Sequence, residues 1–195
     1  VTPYQETLLA LAAESEAAAI ALWANVSVLG DGLFVGALAA IIAGYNAQAA
    51  ALAEVAFAAE ATVAFQKAIP VIGLAPVDDV ERLTKAATTL LDTARASEVP
   101  EKIVGRLGRA EPLNTAARTY SDSIRESGLT KGWTRHMDSD PCQLCRWWWR
   151  EGRIWPAEHP FQTHPGCACV PRPVWAENIQ STQYTRRLER YARAS

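Results

Sequence analysis

Alanine and leucine dominate the chain from Pro3 to about Val28, with Glu14 and Glu16 marking a wet side, and the pattern predicts a helix. Its start is explicit in Thr2-Pro3-Tyr4-Gln5: threonine as cap, proline at the first helical position, glutamine at N3. Gly30-Asp31-Gly32 breaks the run, and a second long helix is expected from about Leu33 to Lys67, ended by Ile69-Pro70. The two read as a helical hairpin. A linker over Pro70–Pro76 follows. Asp78 with Glu81 then opens a third helix, with an apolar stripe of Val80, Leu83, Ala87, Leu90, Leu91 and Ala94. Pro100 begins a short helix loosened by Gly105 and Gly108, and another helix is expected from about Glu111 to Ser127, stopped by Gly128.

Beyond Thr130 the texture changes to Trp, Pro, Cys and His without a helical period, and a basic tail, YTRRLERYARAS, can form a short amphipathic helix. The expected fold is therefore mainly α. A long N-terminal helical hairpin (1–69) and a helical region (70–128) precede a small Cys/His module with little regular structure (129–173). A basic tail with a short C-terminal helix (174–195) closes the chain.

The stretch from Gly32 to Ala53 carries no charge. Asn46 and Gln48 interrupt it, alanine outweighs leucine, and no basic flank sets an orientation, so a buried soluble helix is the expectation rather than a membrane span. Gly36, Ala40 and Gly44 form a ridge of small residues suited to close helix contact. So few large apolar anchors pack poorly alone, which implies an oligomer or a docking partner.

Charge is unevenly spread. The net charge is only −2, yet residues up to Asp79 hold eight acids against Lys67 alone; the front is −7 and the remainder +5. The first residues lack the basic region of a secretory signal, and Asn25-Val26-Ser27 is an isolated sequon match. Sparse glycines with no preceding strand give no phosphate-binding loop.

All four cysteines fall in CQLC (Cys142, Cys145) and HPGCAC (Cys167, Cys169), and six of seven tryptophans lie between Trp133 and Trp175. A CxxC turn presents two sulfurs to one tetrahedral ion, and His164, Cys167 and Cys169 offer three more donors across an intervening loop of 146 to 163. This two-cluster spacing favours a structural zinc ion over two disulfides, and no βαβ pattern supports a redox CxxC. Four of the five donors suffice: Cys142, Cys145 and Cys167, with His164 and Cys169 competing for the fourth place. An open catalytic zinc would need a nearby acid such as Asp138, Asp140 or Glu158.

Trp147, Trp148 and Trp149 are expected to supply the core that a small clipped module lacks, with at least one left exposed as an interface anchor. Stacking on single-stranded nucleic acid beside Arg146, Arg150 and Arg153 is the sharper alternative. His136 and His159 read as surface or satisfied core residues, and no serine sits with a histidine and an acid for nucleophilic catalysis.

The ordered set Trp133, Asp138, Cys142-x-x-Cys145, Gly152, Pro156, His164-Pro165-x-Cys167-x-Cys169 and Pro171 resembles the phage Mu F-like family of minor head (head morphogenesis) proteins. The resemblance covers roughly residues 110–173 by motif and the helical front by character. It implies a non-enzymatic structural protein of a tailed-phage virion, associated with the portal protein and other capsid proteins inside the head. Several copies would join one assembly, reached from the host cytoplasm without a membrane, and the basic back half could contact packaged DNA. Ala168 stands where the family often has a basic residue, and no extra C-terminal module is expected. Some relatives are linked to capsid maturation proteases, but no protease constellation is visible here. A maturation protease and a zinc-ribbon nucleic-acid-binding protein are the alternatives.

Overall fold

The computed structural model describes residues 1–74 and 79–176. Six helices, α1 (Pro3–Trp23), α2 (Val26–Leu29), α3 (Asp31–Phe65), α4 (Val80–Arg95), α5 (Pro100–Ser127) and α6 (Gln143–Trp149), accompany strands β1 (Thr130–His136), β2 (Trp155–Pro156) and β3 (Val170–Trp175). The chain is mainly helical, with long N-terminal helices and the Cys/His cluster late, as the sequence pattern indicates. To this the structure adds a three-stranded antiparallel sheet of order β2-β1-β3. The expected cap at Asp78 and the tail helix within 177–195 lie outside the described residues.

The capping box at the start of α1 is complete. Thr2 Oγ1 accepts the Gln5 N–H at 3.2 Å, and Gln5 Oε1 accepts the Thr2 N–H at 2.9 Å. α1 ends at Trp23 rather than near Val28, because the Asn25 side-chain amide turns back to the Ala21 carbonyl at 3.0 Å. One turn, α2, then leads into α3.

The first two long helices do not stand as a hairpin on their own, because α5 packs against both. It is one 28-residue helix, not two short ones. Gly105 and Gly108, expected to loosen it, instead let it approach α1. A Cβ on Gly108 would lie 2.8 Å from the Ser15 carbonyl oxygen and 2.9 Å from Ala19 Cβ. Pro112 sits inside α5 and has no N–H to give Gly108, four residues back. Ser15 Oγ donates to that carbonyl instead, at 2.7 Å and fully buried.

Two large hydrophobic clusters run along this frame, beside a small one of Ala61, Ile69 and Leu129. At one end α4 lays Leu83, Ala87, Leu91 and Ala94 against Phe34, Leu38 and Ile42 of α3 and Val104 of α5. The other contains Leu8, Phe57, Leu113, Tyr120 and Ile124 from the helices together with Trp133, Phe161 and three cysteines from the C-terminal module. Helices and module thus share one core.

The other side of α3 is a different surface. Leu33, Gly36, Ala40, Gly44, Ala47, Ala51, Val55 and Val63 recur at helical spacing and are all exposed. The small-residue ridge expected to make close helix contact therefore faces outward, and added Cβ atoms at Gly36 or Gly44 would meet nothing within 4 Å. α3 is long and apolar enough to span a bilayer by length and composition. Here its inner seam is packed on α1, α4 and α5.

In the sheet, Gly132 lies opposite Pro156, and any Cβ there would fall 2.1 Å from the Trp155 carbonyl oxygen, so only glycine fits. β3 contains Pro171 and Pro173, which cannot donate to the β1 ladder; their neighbours Val170, Arg172 and Val174 carry it. Both proline nitrogens therefore lie on the outer side of an edge strand, where they leave no N–H for a further strand.

Candidate metal centre

The five sequence-predicted donors converge. His164 Nε2 lies 3.1 Å from Cys142 Sγ and 3.2 Å from Cys145 Sγ, and Cys145 Sγ lies 3.4 Å from Cys167 Sγ. They form two overlapping triads, Cys142–Cys145–His164 and Cys145–Cys167–Cys169, within each of which all donor atoms lie within 4.8 Å of one another. Cys145 belongs to both. All four cysteines are free, and the 3.4 Å sulfur separation far exceeds a disulfide bond of about 2.05 Å.

Each donor is placed by a local device. Cys142 caps α6 and Cys145 sits one turn in, so both sulfurs face the same side. Cys145, Cys167 and Cys169 are buried, while Cys142 is exposed. The turn His164–Cys167 closes with the Cys167 N–H on the His164 carbonyl at 3.1 Å. The imidazole Nδ1 lies 3.3 Å from the Pro165 carbonyl oxygen, which orients the ring with Nε2 toward the sulfurs.

Asp138, offered by the sequence as an acid for an open metal position, serves as a bracket. Its Oδ2 accepts the Ala168 N–H at 3.3 Å, its Oδ1 accepts the Asp140 N–H at 3.2 Å, and its own N–H points at Cys169 Sγ at 3.4 Å. The segment after β1 is thereby held against the second cysteine pair.

The thiols differ in their readiness to ionise. The Cys145 backbone N–H directed at Cys142 holds that thiol below the ordinary range. Burial pushes the Cys145 thiol up to about 12, and Cys169 is raised by its contact with Cys167 and then by burial. Such thiols stay protonated unless a cation compensates them, and a bound metal ion deprotonates its ligands outright.

The donor set fits a metal ion. Tetrahedral coordination with bonds of about 2.3 Å to sulfur and about 2.0 Å to nitrogen puts donors roughly 3.5 to 3.8 Å apart, within about 0.4 Å of the three short separations given above. Cys142, Cys145 and His164 with Cys167 or Cys169 could hold such an ion.

The aromatic shell corrects the expectation for the tryptophan triplet. The module's core is Trp133, fully buried, with Phe161 edge-on at 5.0 Å and Trp155 stacked at 6.0 Å; Trp155 in turn stacks on His159 at 4.4 Å. Trp133 Nε1 donates to the His159 carbonyl at 2.9 Å. By contrast Trp147 is 59% exposed and Trp149 37% exposed, because Cys145 takes the inward face of the short α6. Only Trp148 turns partly inward, 6.0 Å from the His164 ring.

Sequence reasoning missed two contributors. Arg135 is buried with its guanidinium over Phe161 at 4.0 Å and Trp148 at 5.2 Å, and it donates to the Gln162 carbonyl at 2.5 Å. A cation in a period-2 strand gives no sign of facing inward until its aromatic neighbours are known. The other is Gln5, whose Nε2 donates to the Ala168 carbonyl at 3.0 Å and so ties the first turn of α1 to the HPGCAC segment. His136 lies apart from the donors, in a groove of about 730 Å³ between α1, α3 and β3, and burial lowers its pKa. Compared with protein-family models, curated proteins and solved structures, the chain gives no match.

Proposed function

We propose that the chain is a structural minor head protein of a tailed bacteriophage, seated on the portal inside the head, whose C-terminal module is clipped by one structural zinc ion. The observation that carries the reading is the module itself. The residues behind the resemblance to Mu F-like head proteins have complementary jobs: Trp133 is the buried core, Asp138 the bracket, and Cys142, Cys145, His164, Cys167 and Cys169 the donors. Thiolates and imidazole are the ligand types that zinc takes in closed sites. A second support is the exposed apolar stripe of α3, a surface of the kind that marks association with other chains. A portal ring offers many copies of such a partner surface.

The test is direct. Purified protein is mixed with the portal protein of the same phage and sedimented, and virions are probed for the chain. Co-sedimentation that is lost when Ala40 and Ala47 are replaced by glutamate supports the assignment. Absence from virions together with no association with portal rejects it. Metal analysis of the purified chain settles the zinc part separately, at one ion per chain.

A further inference from the structure

We propose that the surface formed by Trp147, Trp149, Arg146, Arg150 and Arg153 binds single-stranded nucleic acid. α6 is pinned from below by Cys145 and Trp148, so Arg146, Trp147 and Trp149 are left exposed. Arg150, Glu151 and Gly152 then take consecutive left-handed conformations (φ 47°, 55° and 80°), a reversal that brings Gly152 back beside the Trp149 indole and sends Arg153 over the Trp155 ring. The result is a compact knob carrying two exposed indoles and three exposed arginines against one acid, Glu151.

Among the described residues none of the three arginines makes an ion pair. Arg146 spends only its Nε, on the Pro141 carbonyl at 3.0 Å, and Arg153 rests over the Trp155 ring at 4.4 Å. Exposed indoles beside guanidiniums that make no ion pair match what an unpaired strand presents: a flat base face on one side and a phosphate on the other. The duplex does not fit the same surface. Its bases are stacked away from the indoles, and a helix of seven residues that ends in a reversal offers no rod to lie in a major groove. The chain as a whole is slightly acidic, at −2, so the attraction is local to this knob.

The inference stands independently of portal docking, because it concerns a different face and is tested on the isolated chain. Metal-loaded full-length protein is titrated into fluorescently labelled 20-nucleotide oligothymidylate, oligouridylate and a 20-base-pair duplex at several salt concentrations. Single strands of either sugar should bind more tightly than the duplex. Trp147→Ala should weaken single-strand binding roughly 5- to 150-fold, the effect of losing one stacked base, whereas Trp147→Phe should retain most of it. Arg150→Ala should reduce the slope of log K against log salt by about 0.7. Melting temperatures of the variants should match the parent, since both positions are exposed. No binding at low salt, preference for the duplex, or single-strand binding indifferent to Trp147→Ala overturns the proposal; a protein partner captured by this face in place of the oligonucleotide does so as well.

Discussion

Ser15 supplies, from α1, the hydrogen bond that Pro112 withholds from the Gly108 carbonyl within α5. An unpaired buried carbonyl costs about 1–3 kcal/mol, so Ser15→Ala is expected to destabilise the protein by about that amount. If Pro112→Ala restores a helical N–H, the loss of Ser15 should then cost much less. A double-mutant cycle by urea unfolding should show coupling of about 1 kcal/mol or more; additive effects would show that the two residues act separately.

Gly108 is also the contact point of the two helices. Gly108→Ala puts a methyl 2.8 Å from a backbone oxygen. Overpacking against backbone should outweigh the gain in helix propensity and cost about 1–3 kcal/mol. Gly36→Ala, on the open face of α3, should instead be neutral or slightly stabilising. Thermal melts of the pair separate close packing from propensity.

Removing the metal should loosen the shared core, since three of the donors belong to it. Chelation is expected to lower Tm by about 6–12 °C, the shift that roughly 3 kcal/mol produces in a chain of this size. Cys145→Ser should abolish metal retention, because Cys145 belongs to both donor triads. Ligands must be deprotonated to bind, so the difference between metal-loaded and chelated Tm should shrink as the pH is lowered.

Gln5 serves two structures with one amide: Oε1 completes its own helix cap and Nε2 holds Ala168. Gln5→Ala should therefore cost more than an ordinary cap loss of about 1 kcal/mol. Part of that cost should disappear in chelated protein, where the HPGCAC segment is no longer held. Gln5→Glu keeps the cap but cannot donate to Ala168, so it isolates the long-range half.

Asp79 is held below the ordinary carboxylate range by its hydrogen bonds to Arg82, and further by the Arg82 and Arg118 charges. Arg82 also binds Glu111, so the pair ties the start of α4 to α5. A depressed folded pKa means a contribution that is complete above about pH 3.9 and lost as pH falls through the folded value. Asp79→Asn should flatten the acid limb of the Tm profile. It should cost only about 1 kcal/mol at neutral pH, because Arg82 is half exposed.

What could be read in advance was whatever local spacing encodes. The Thr2–Gln5 cap, the Leu83–Ala87–Leu91–Ala94 stripe and the five donors all follow from periods of three and four or from short ligand motifs. What escaped depends on contacts distant in sequence. Gly105, Gly108 and Pro112 look like helix breakers until Ser15 is placed beside them. VPRPVW looks unlike a strand until its prolines are set on the outer edge of a sheet. The tryptophan run looks like a core until Cys145 takes the inward position on α6 and Trp133 the centre of the module.

The bond between Gln5 and Ala168 also sets an order of events during synthesis. At roughly 5–20 residues per second, α1 leaves the ribosome about 8 to 33 s before its partner segment exists. Through that interval Leu8, Ala12 and Phe57 lack the cysteine-rich half of their cluster. The nascent helices thus wait with that half of their core open until the last cysteines arrive, and the cluster can close only once the whole donor set has been made.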